Sequence, residues 1–436
     1  MKVTIVNGYH DSNKGSCAIA WGLIRRLERT GLVDSISLVS MLREDSPLFS
    51  SGFRHLRENF PEVNFLGSPV IGLADYLDRH KTTRGHSFRQ WLWAVSFLRQ
   101  YLVMNHSSPG RMAAHNPALR AILDSDLVVE RGGPFFAAGR SPVNPSLYFY
   151  ALPLLYARRG GIPFGFAPES IGPLANRFAR NFVGDLFRDA CFISVRENIS
   201  RATLVKCGVK ESSIQTMLDS AFWVKPRHST RLSSVLSRHG LDRGSFISIV
   251  CRQWLEVDQR RYHRELAAVI DRLVPKIFPR AALVLNAYGP LGGPDDSRAT
   301  RQLFEYIQKK EYVSLVEEDL APDELAALYG QADLLLGTRL HSVILSLTGG
   351  TPVVAVSYGG PKTRGIMQLL GLDRYVVDIN TVDRETIIAL MRTAKQEQEP
   401  VIKQIPLYRE RDDRIFFSLL ENSRKRERLD VQKSKF

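Results

Sequence analysis

Residues 333–362, DLLLGTRLHSVILSLTGGTPVVAVSYGGPK, restrict the possible folds of this chain more than any other stretch. Asp333 to Leu336 is a short apolar run bounded by a turn, the pattern of a buried strand. Gly337 and Thr338 turn the chain, Arg339 and His341 follow, and residues 342–347 read as a helix stopped by Gly349, Gly350 and Pro352. Residues 353–356 give a second apolar strand, and a Gly359-Gly360-Pro361 turn leads into another helix at Lys362. A strand–helix–strand–helix unit closes as two parallel neighbouring strands. Both strands end in glycine-marked turns with basic or polar groups: Arg339 and His341 on one, Tyr358, Lys362 and Arg364 on the other. Ligands of open α/β sheets sit at the carboxyl ends of the strands, so two cationic turns on one edge predict an anion site.

The same alternation fills the rest of the chain. Residues 3–6 read as a strand, and the loop NGYHDSNKG leads to a helix that Ser16 can cap. A glycine loop before a helix N-terminus can hold an anion, although this one is neither GxGxxG nor a P-loop. Strands follow at 36–40, 126–130, 163–167 and 191–195, with helices at 146–158, 177–189 and from 198. Their carboxyl edge would carry Asn13, Gly132, Gly133, Glu169 and Arg196. After a short strand at 215–218 the pattern breaks between about 224 and 244. It restarts with strands at 246–250 (ending in Cys251-Arg252-Gln253-Trp254), 281–285 and 313–316, and helices at 262–274, 297–309 and 322–329. A strand at 375–377, a helix at 384–393 and a last helix from about 407 to 424 complete the chain. The expected fold is α/β, with two Rossmann-like domains at 1–224 and 244–400, a C-terminal helix and basic tail at 401–436, and a GT-B-like interdomain cleft.

Composition narrows the function. Lys and Arg exceed Asp and Glu by 14 over 436 residues, which suits anionic partners. No RNP, helix-turn-helix or zinc pattern accompanies that charge, so nucleic acid is not expected. The four cysteines, Cys17, Cys191, Cys207 and Cys251, form no CxxC pair, so neither a zinc site nor a disulfide framework is suggested. Metal-independent chemistry and a cytoplasmic location, with no secretory signal, follow as expectations. Residues 88–104, FRQWLWAVSFLRQYLVM, read as a buried or interdomain helix. The alternative, peripheral membrane association at the inner leaflet through Trp91, Trp93 and the basic surface, is the second expectation for that segment.

Taken in order, these motifs resemble the polysaccharide pyruvyl transferases. The likeness spans residues 3 to 380 and is strongest in Gly337-Thr338-Arg339-Leu340-His341-Ser342 and the Tyr358…Lys362 pair. Asn13-Lys14-Gly15-Ser16, Gly132-Gly133, Ser170-Ile171-Gly172-Pro173 and Ser194-Val195-Arg196-Glu197 support it. The family's usual three-glycine run is here Arg131-Gly132-Gly133-Pro134, and Ser16 stands where an acidic residue is usual.

The resemblance implies an enzyme that moves the enolpyruvyl carbons of phosphoenolpyruvate onto two hydroxyls of a saccharide, nucleotide- or lipid-linked, giving a cyclic pyruvate ketal. It implies no cofactor beyond that donor. A phosphate and a carboxylate need several cations, and Arg binds both bidentately. Arg196 and Arg339 match the family's positions for this role. His341 is the candidate acid/base, Lys362 a phosphate ligand at a helix start, and Tyr358 a neighbour of it. Asn13, Gly132, Gly133, Glu169 and Glu197 are the remaining candidate contacts. The competing readings are a GT-B nucleotide-sugar glycosyltransferase and a non-catalytic protein that binds an anionic glycan. The glycosyltransferase would place a carboxylate soon after the Tyr358–Lys362 turn, where the first here is Asp373.

Overall fold

The structure is a computed structural model describing residues 1–69, 106–141, 144–254, 256–288, 296–360 and 362–433, with a few positions between 95 and 103. The 88–104 segment lies largely outside the described residues. The chain forms two compact units. The first comprises Met1–Asp11, Leu23–Ser220 and Glu410–Phe436; the second comprises Ser12–Gly22 and Ala221–Arg409. The main segment of the second unit runs from Ala221, and the Thr230–Arg238 helix belongs to it, in the stretch where the pattern was expected to break.

The first unit is built on a parallel sheet. Its strands are β1 (Lys2–Gly8), β2 (Ser35–Ser40), β3 (Asn64–Leu66), β4 (Leu127–Glu130), β5 (Gly133–Ala138), β6 (Phe164–Leu174), β7 (Phe192–Val195) and β8 (Ile214–Thr216). The order is β3-β2-β1-β4-β6-β7-β8, with β5 added beside β6. The chain winds outward from β1 in one direction and from β4 in the other, so the switch point lies between β1 and β4. Phe166 and Phe187 stack at 3.7 Å and Phe136 meets Phe187 edge-on at 5.3 Å, anchoring β5, β6 and the Arg177–Arg188 helix in one apolar cluster. Two features depart from expectation. Residues 168–174 continue β6 instead of turning, and Gly133 opens a strand rather than a loop. Proline and glycine in Pro168–Pro173 read as a turn, yet β5 pairs along this stretch with register shifts that accommodate them.

The second unit holds β9 (Phe246–Val250), β10 (Arg280–Val284), β11 (Val313–Val316), β12 (Leu334–Gly337), β13 (Val353–Ser357) and β14 (Val376–Asp378), all parallel, in the order β11-β10-β9-β12-β13-β14. Its switch point lies between β9 and β12. Every residue of β9, β12 and β13 is buried. This is the pattern of strands covered by helices on both faces, and it explains their unbroken apolar runs.

The expected pair of C-terminal helices is one helix, Arg384–Lys433, continuous through Pro400 and Pro406. An interior proline costs a helix roughly 3 kcal/mol or more, so side-chain anchors must offset it. Gln398 is buried and accepts from the Val353 amide at 2.9 Å while donating to the Val353 carbonyl at 2.7 Å. Further along, Asp412 is buried and accepts from the Leu218 amide at 2.6 Å.

Candidate active site

The carboxyl ends of β9 and β12 flank the second switch point, and each is followed two residues later by an arginine: Arg252 and Arg339. The Arg339 Nε and Nη2 donate to the two oxygens of Asp296, both at 2.7 Å. Asp296 is fully buried and opens the Asp296–Tyr306 helix. This bidentate pair fixes the guanidinium plane. The turn beneath it is also fixed: the Thr338 amide donates to the Val250 carbonyl at 2.7 Å, and the Thr338 and Tyr262 hydroxyls lie 2.5 Å apart.

His341 is the second residue of the Leu340–Thr348 helix. Its ring lies directly on Gly15. A Cβ built at Gly15 would meet Nδ1 at 2.3 Å and the His341 Cβ at 3.0 Å. Gly15 is therefore glycine because the imidazole occupies its side-chain space. The preceding residues bind locally. The Lys14 amide donates to the Asn286 carbonyl at 3.1 Å, and the Tyr288 amide to the Ser12 carbonyl at 2.9 Å. Asn13 Oδ1 accepts from the Ser16 amide at 3.2 Å and caps the Lys14–Arg29 helix. The Lys14 ammonium is buried in an ion pair with Asp319, 5.3 Å from the centre of the Tyr288 ring. The loop that can hold an anion at a helix start also supplies its own cap and a seat for His341.

Beyond β13, Tyr358 is buried, with its ring centre 5.0 Å from that of Trp254. The Arg252 guanidinium lies 3.9 Å from the Tyr358 ring centre and 4.9 Å from that of Trp254, and Lys362 Nζ lies 5.2 Å from Tyr358. Gly359 permits this packing, since a Cβ there would meet Trp254 at 2.4 Å. Burial alone would raise the Tyr358 phenol, but Lys362, Arg252 and Arg339 outweigh it and lower the pKa to about 8. Four predicted residues, Arg339, His341, Tyr358 and Lys362, thus lie on two neighbouring strand ends of one unit, as the spacing suggested.

The predicted residues of the first unit form a different kind of structure. Arg196 is fully buried in an ion pair with Asp219, and its Nε donates to the Ser170 hydroxyl at 2.7 Å. Burial works against its charge, but Asp219 and Glu197 more than offset this and hold the guanidinium above its usual range. Glu197 accepts from Ser170 at 3.0 Å and also from Ser200. Glu130 accepts from the Gly132 amide at 2.7 Å, and the Arg131 Nε donates to the Asn7 carbonyl at 3.1 Å. Gly132 has φ +91°, and a Cβ there would meet the Pro168 carbonyl at 2.8 Å. Burial, then the neighbouring Glu130 carboxylate, push the Glu169 carboxyl well above the ordinary range. Arg196, Glu169, Glu197, Gly132 and Gly133 thus stand together at the carboxyl edge of the first sheet, where the sequence placed them. Four carboxyls and two guanidiniums gather at this sheet edge, and the Glu169 Oε2 and Arg196 Nη2 atoms are buried there without a hydrogen-bond partner among the described residues.

Sequence reasoning passed over Arg252, Trp254 and Asp296. A signal for Arg252 existed: it follows β9 by the spacing that Arg339 keeps from β12. Asp296 offered none, since nothing local marks it as the partner of a residue 43 positions on.

The model of the polysaccharide pyruvyl transferase family matches residues 13–360, from the Asn13 cap to the Tyr358 turn. The chain belongs to the polysaccharide pyruvyl transferase family. Membership assigns it to the transferases of polysaccharide biosynthesis. This family member is 25% identical over 423 residues to the amylovoran biosynthesis protein AmsJ of Erwinia amylovora, covering 93% of this chain and 94% of that protein. Among solved structures, its α/β, GT-B-like fold is shared with Anabaena Alr3699/HepE in complex with UDP and glucose (TM-score 0.52, 12% identity, 100% of both chains). It is shared also with the UDP-GlcNAc 2-epimerase of Neisseria meningitidis bound to UDP-GlcNAc (TM-score 0.55, 12% identity, 93% of this chain and 94% of that one). Among the described residues of this pyruvyl transferase family member, no helix is long and apolar enough to cross a membrane. No group of three or more His, Cys, Asp or Glu is placed there to hold a metal ion.

Proposed function

We propose that this protein transfers the enolpyruvyl group of phosphoenolpyruvate to two hydroxyls of one sugar, forming a cyclic pyruvate ketal and releasing phosphate. The observation that carries the reading is the set of Arg339, Lys362 and Tyr358 around one pair of strand ends, with His341 seated beside them on Gly15. In the forward reaction C3 gains a proton, C2 takes on cationic character, and two hydroxyl oxygens add to C2 in turn as the phosphate leaves. Two hydroxyl protons are lost; one balances the proton taken by C3 and the other leaves on the phosphate. Lys362 and Arg339 hold the donor's anionic groups, Arg339 already oriented by Asp296. His341 serves as the acid/base, with the Nδ1 edge of its ring on Gly15 and Nε2 at the far edge. Arg196, Glu169 and Glu197 hold the first sheet's carboxyl edge in shape.

The acceptor on this reading is a saccharide, nucleotide- or lipid-linked, met in the cytoplasm or at the inner face of the membrane. The test is incubation with phosphoenolpyruvate and extracted nucleotide- and lipid-linked saccharides. Equimolar phosphate and a saccharide carrying one ketal-linked pyruvate are expected. Transfer of a sugar from a nucleotide sugar, with phosphoenolpyruvate untouched, would overturn the reading in favour of a glycosyltransferase.

A further inference from the structure

Arg252 is a buried cation whose charge is not matched by a carboxylate among the described residues. It is 5% exposed, yet among the described residues no carboxylate pairs with it. Two fully buried arginines, Arg196 and Arg26, have such partners in Asp219 and Asp413, and the half-buried Arg339 has Asp296. Asp296 lies close enough to act on the ionisation of Arg252, but both its oxygens are bonded to Arg339. The Arg252 Nε donates to the Gln253 carbonyl at 3.2 Å. The Tyr358 phenol is its side-chain hydrogen-bond partner, and among the described residues no carboxylate accepts from its terminal nitrogens. A guanidinium taken out of water without a counter-charge is costly, and burial accordingly lowers its pKa from the usual arginine value. Such a group persists where a ligand supplies the missing anion.

Its surroundings hold it ready. The Tyr358 and Trp254 rings lie 3.9 and 4.9 Å from the guanidinium carbon. Gln259 straps the segment: its Oε1 accepts from the Trp254 amide at 2.9 Å and its Nε2 donates to the Arg252 carbonyl at 3.1 Å. A planar guanidinium matches a planar carboxylate through two parallel hydrogen bonds. Lys362, a compact point charge, suits a phosphate.

We propose that Arg252 is a further substrate-binding residue of this site and takes the carboxylate of the enolpyruvyl donor, with the Tyr358 and Trp254 rings setting its plane. This rests on the donor being phosphoenolpyruvate. The experiment is titration calorimetry of phosphoenolpyruvate, and separately of inorganic phosphate, into the full-length wild type, Arg252→Lys and Arg252→Gln, with thermal melts confirming that each variant folds. Arg252→Lys keeps the charge but loses the fork. It should weaken phosphoenolpyruvate by about 10- to 100-fold, the loss expected for charge-assisted hydrogen bonds, and move phosphate binding less than about twofold. Equal losses for both ligands would make Arg252 a phosphate ligand and overturn the assignment. Wild-type affinity for phosphoenolpyruvate in a folded Arg252→Lys would remove Arg252 from the site while leaving the donor reading intact. A wild type that binds no phosphoenolpyruvate would overturn both.

Discussion

Gly15→Ala separates two physical effects that predict opposite signs. Gly15 is the second residue of the Lys14–Arg29 helix and does not need a left-handed conformation. On helix propensity alone, alanine should stabilise this position by roughly 0.5–1 kcal/mol. The structure opposes that gain. The new Cβ would stand 2.3 Å from His341 Nδ1, 2.7 Å from Cγ and 3.0 Å from Cβ. Rotating the ring does not clear a clash that includes the His341 Cβ, so the side chain must retreat by about 1 Å to reach ordinary contact. Overpacking of this kind costs about 1–3 kcal/mol, which cancels or outweighs the propensity gain. A catalytic group displaced by about 1 Å loses on the order of 100-fold in rate. Calorimetric melting and phosphate release from phosphoenolpyruvate, with a saccharide extract as acceptor, measure the two effects. The expected result is an unchanged or lowered melting temperature and a rate about 100-fold down. A raised melting temperature with wild-type turnover would refute the placement of His341 on Gly15.

Other outcomes follow from the same charges and contacts. The Tyr358 phenol, lowered to about 8, becomes an internal anion as pH rises and competes with an anionic donor for Arg252, Arg339 and Lys362. Phosphoenolpyruvate affinity should therefore fall as pH passes through about 8 in the wild type and stay flat in Tyr358→Phe; parallel pH profiles would contradict this. The Glu169 carboxyl is raised by burial and by Glu130, so its contribution to stability is present below the unfolded carboxylate pKa and is lost as pH rises through the folded value. Glu169→Gln should accordingly gain on the wild type as pH goes from about 5 to 8, and a constant difference in urea unfolding would count against it. Arg26 is fully buried, lies 4.2 Å from the centre of the Phe416 ring and donates to the Asp412 carbonyl at 3.0 Å. Arg26→Ala should destabilise the first unit by about 3 kcal/mol, and a loss below about 1 kcal/mol would show the contact to be weak.

The strand–helix alternation was legible because buried parallel strands are continuous apolar runs, and β9, β12 and β13 are covered on both faces. The two cationic turns were legible because each arginine or lysine stands just past such a run. What the sequence hid depends on contacts between distant residues. Arg196 and Arg339 look alike in sequence, each an arginine closing a strand, yet one is enclosed by Asp219 and the other is steered by Asp296. Gly132 and Gly133 read as candidate ligand contacts, and the fold shows that they permit the chain to pass the Pro168 carbonyl and enter β5. Gly15 read as part of a glycine loop before a helix N-terminus, and the observed contact at the glycine is a histidine more than 300 positions away. In each case a local pattern located a special position and only the fold supplied its reason.

The central claim is that the second unit's strand ends hold an enolpyruvyl donor. The most direct test is titration of phosphoenolpyruvate into the wild type and Lys362→Ala, with UDP and GDP as parallel ligands. Lys362 is partly exposed and lies 5.2 Å from the centre of the Tyr358 ring. The account predicts saturable phosphoenolpyruvate binding that weakens about tenfold or more in the variant. Tight binding of a nucleoside diphosphate with no binding of phosphoenolpyruvate would contradict it.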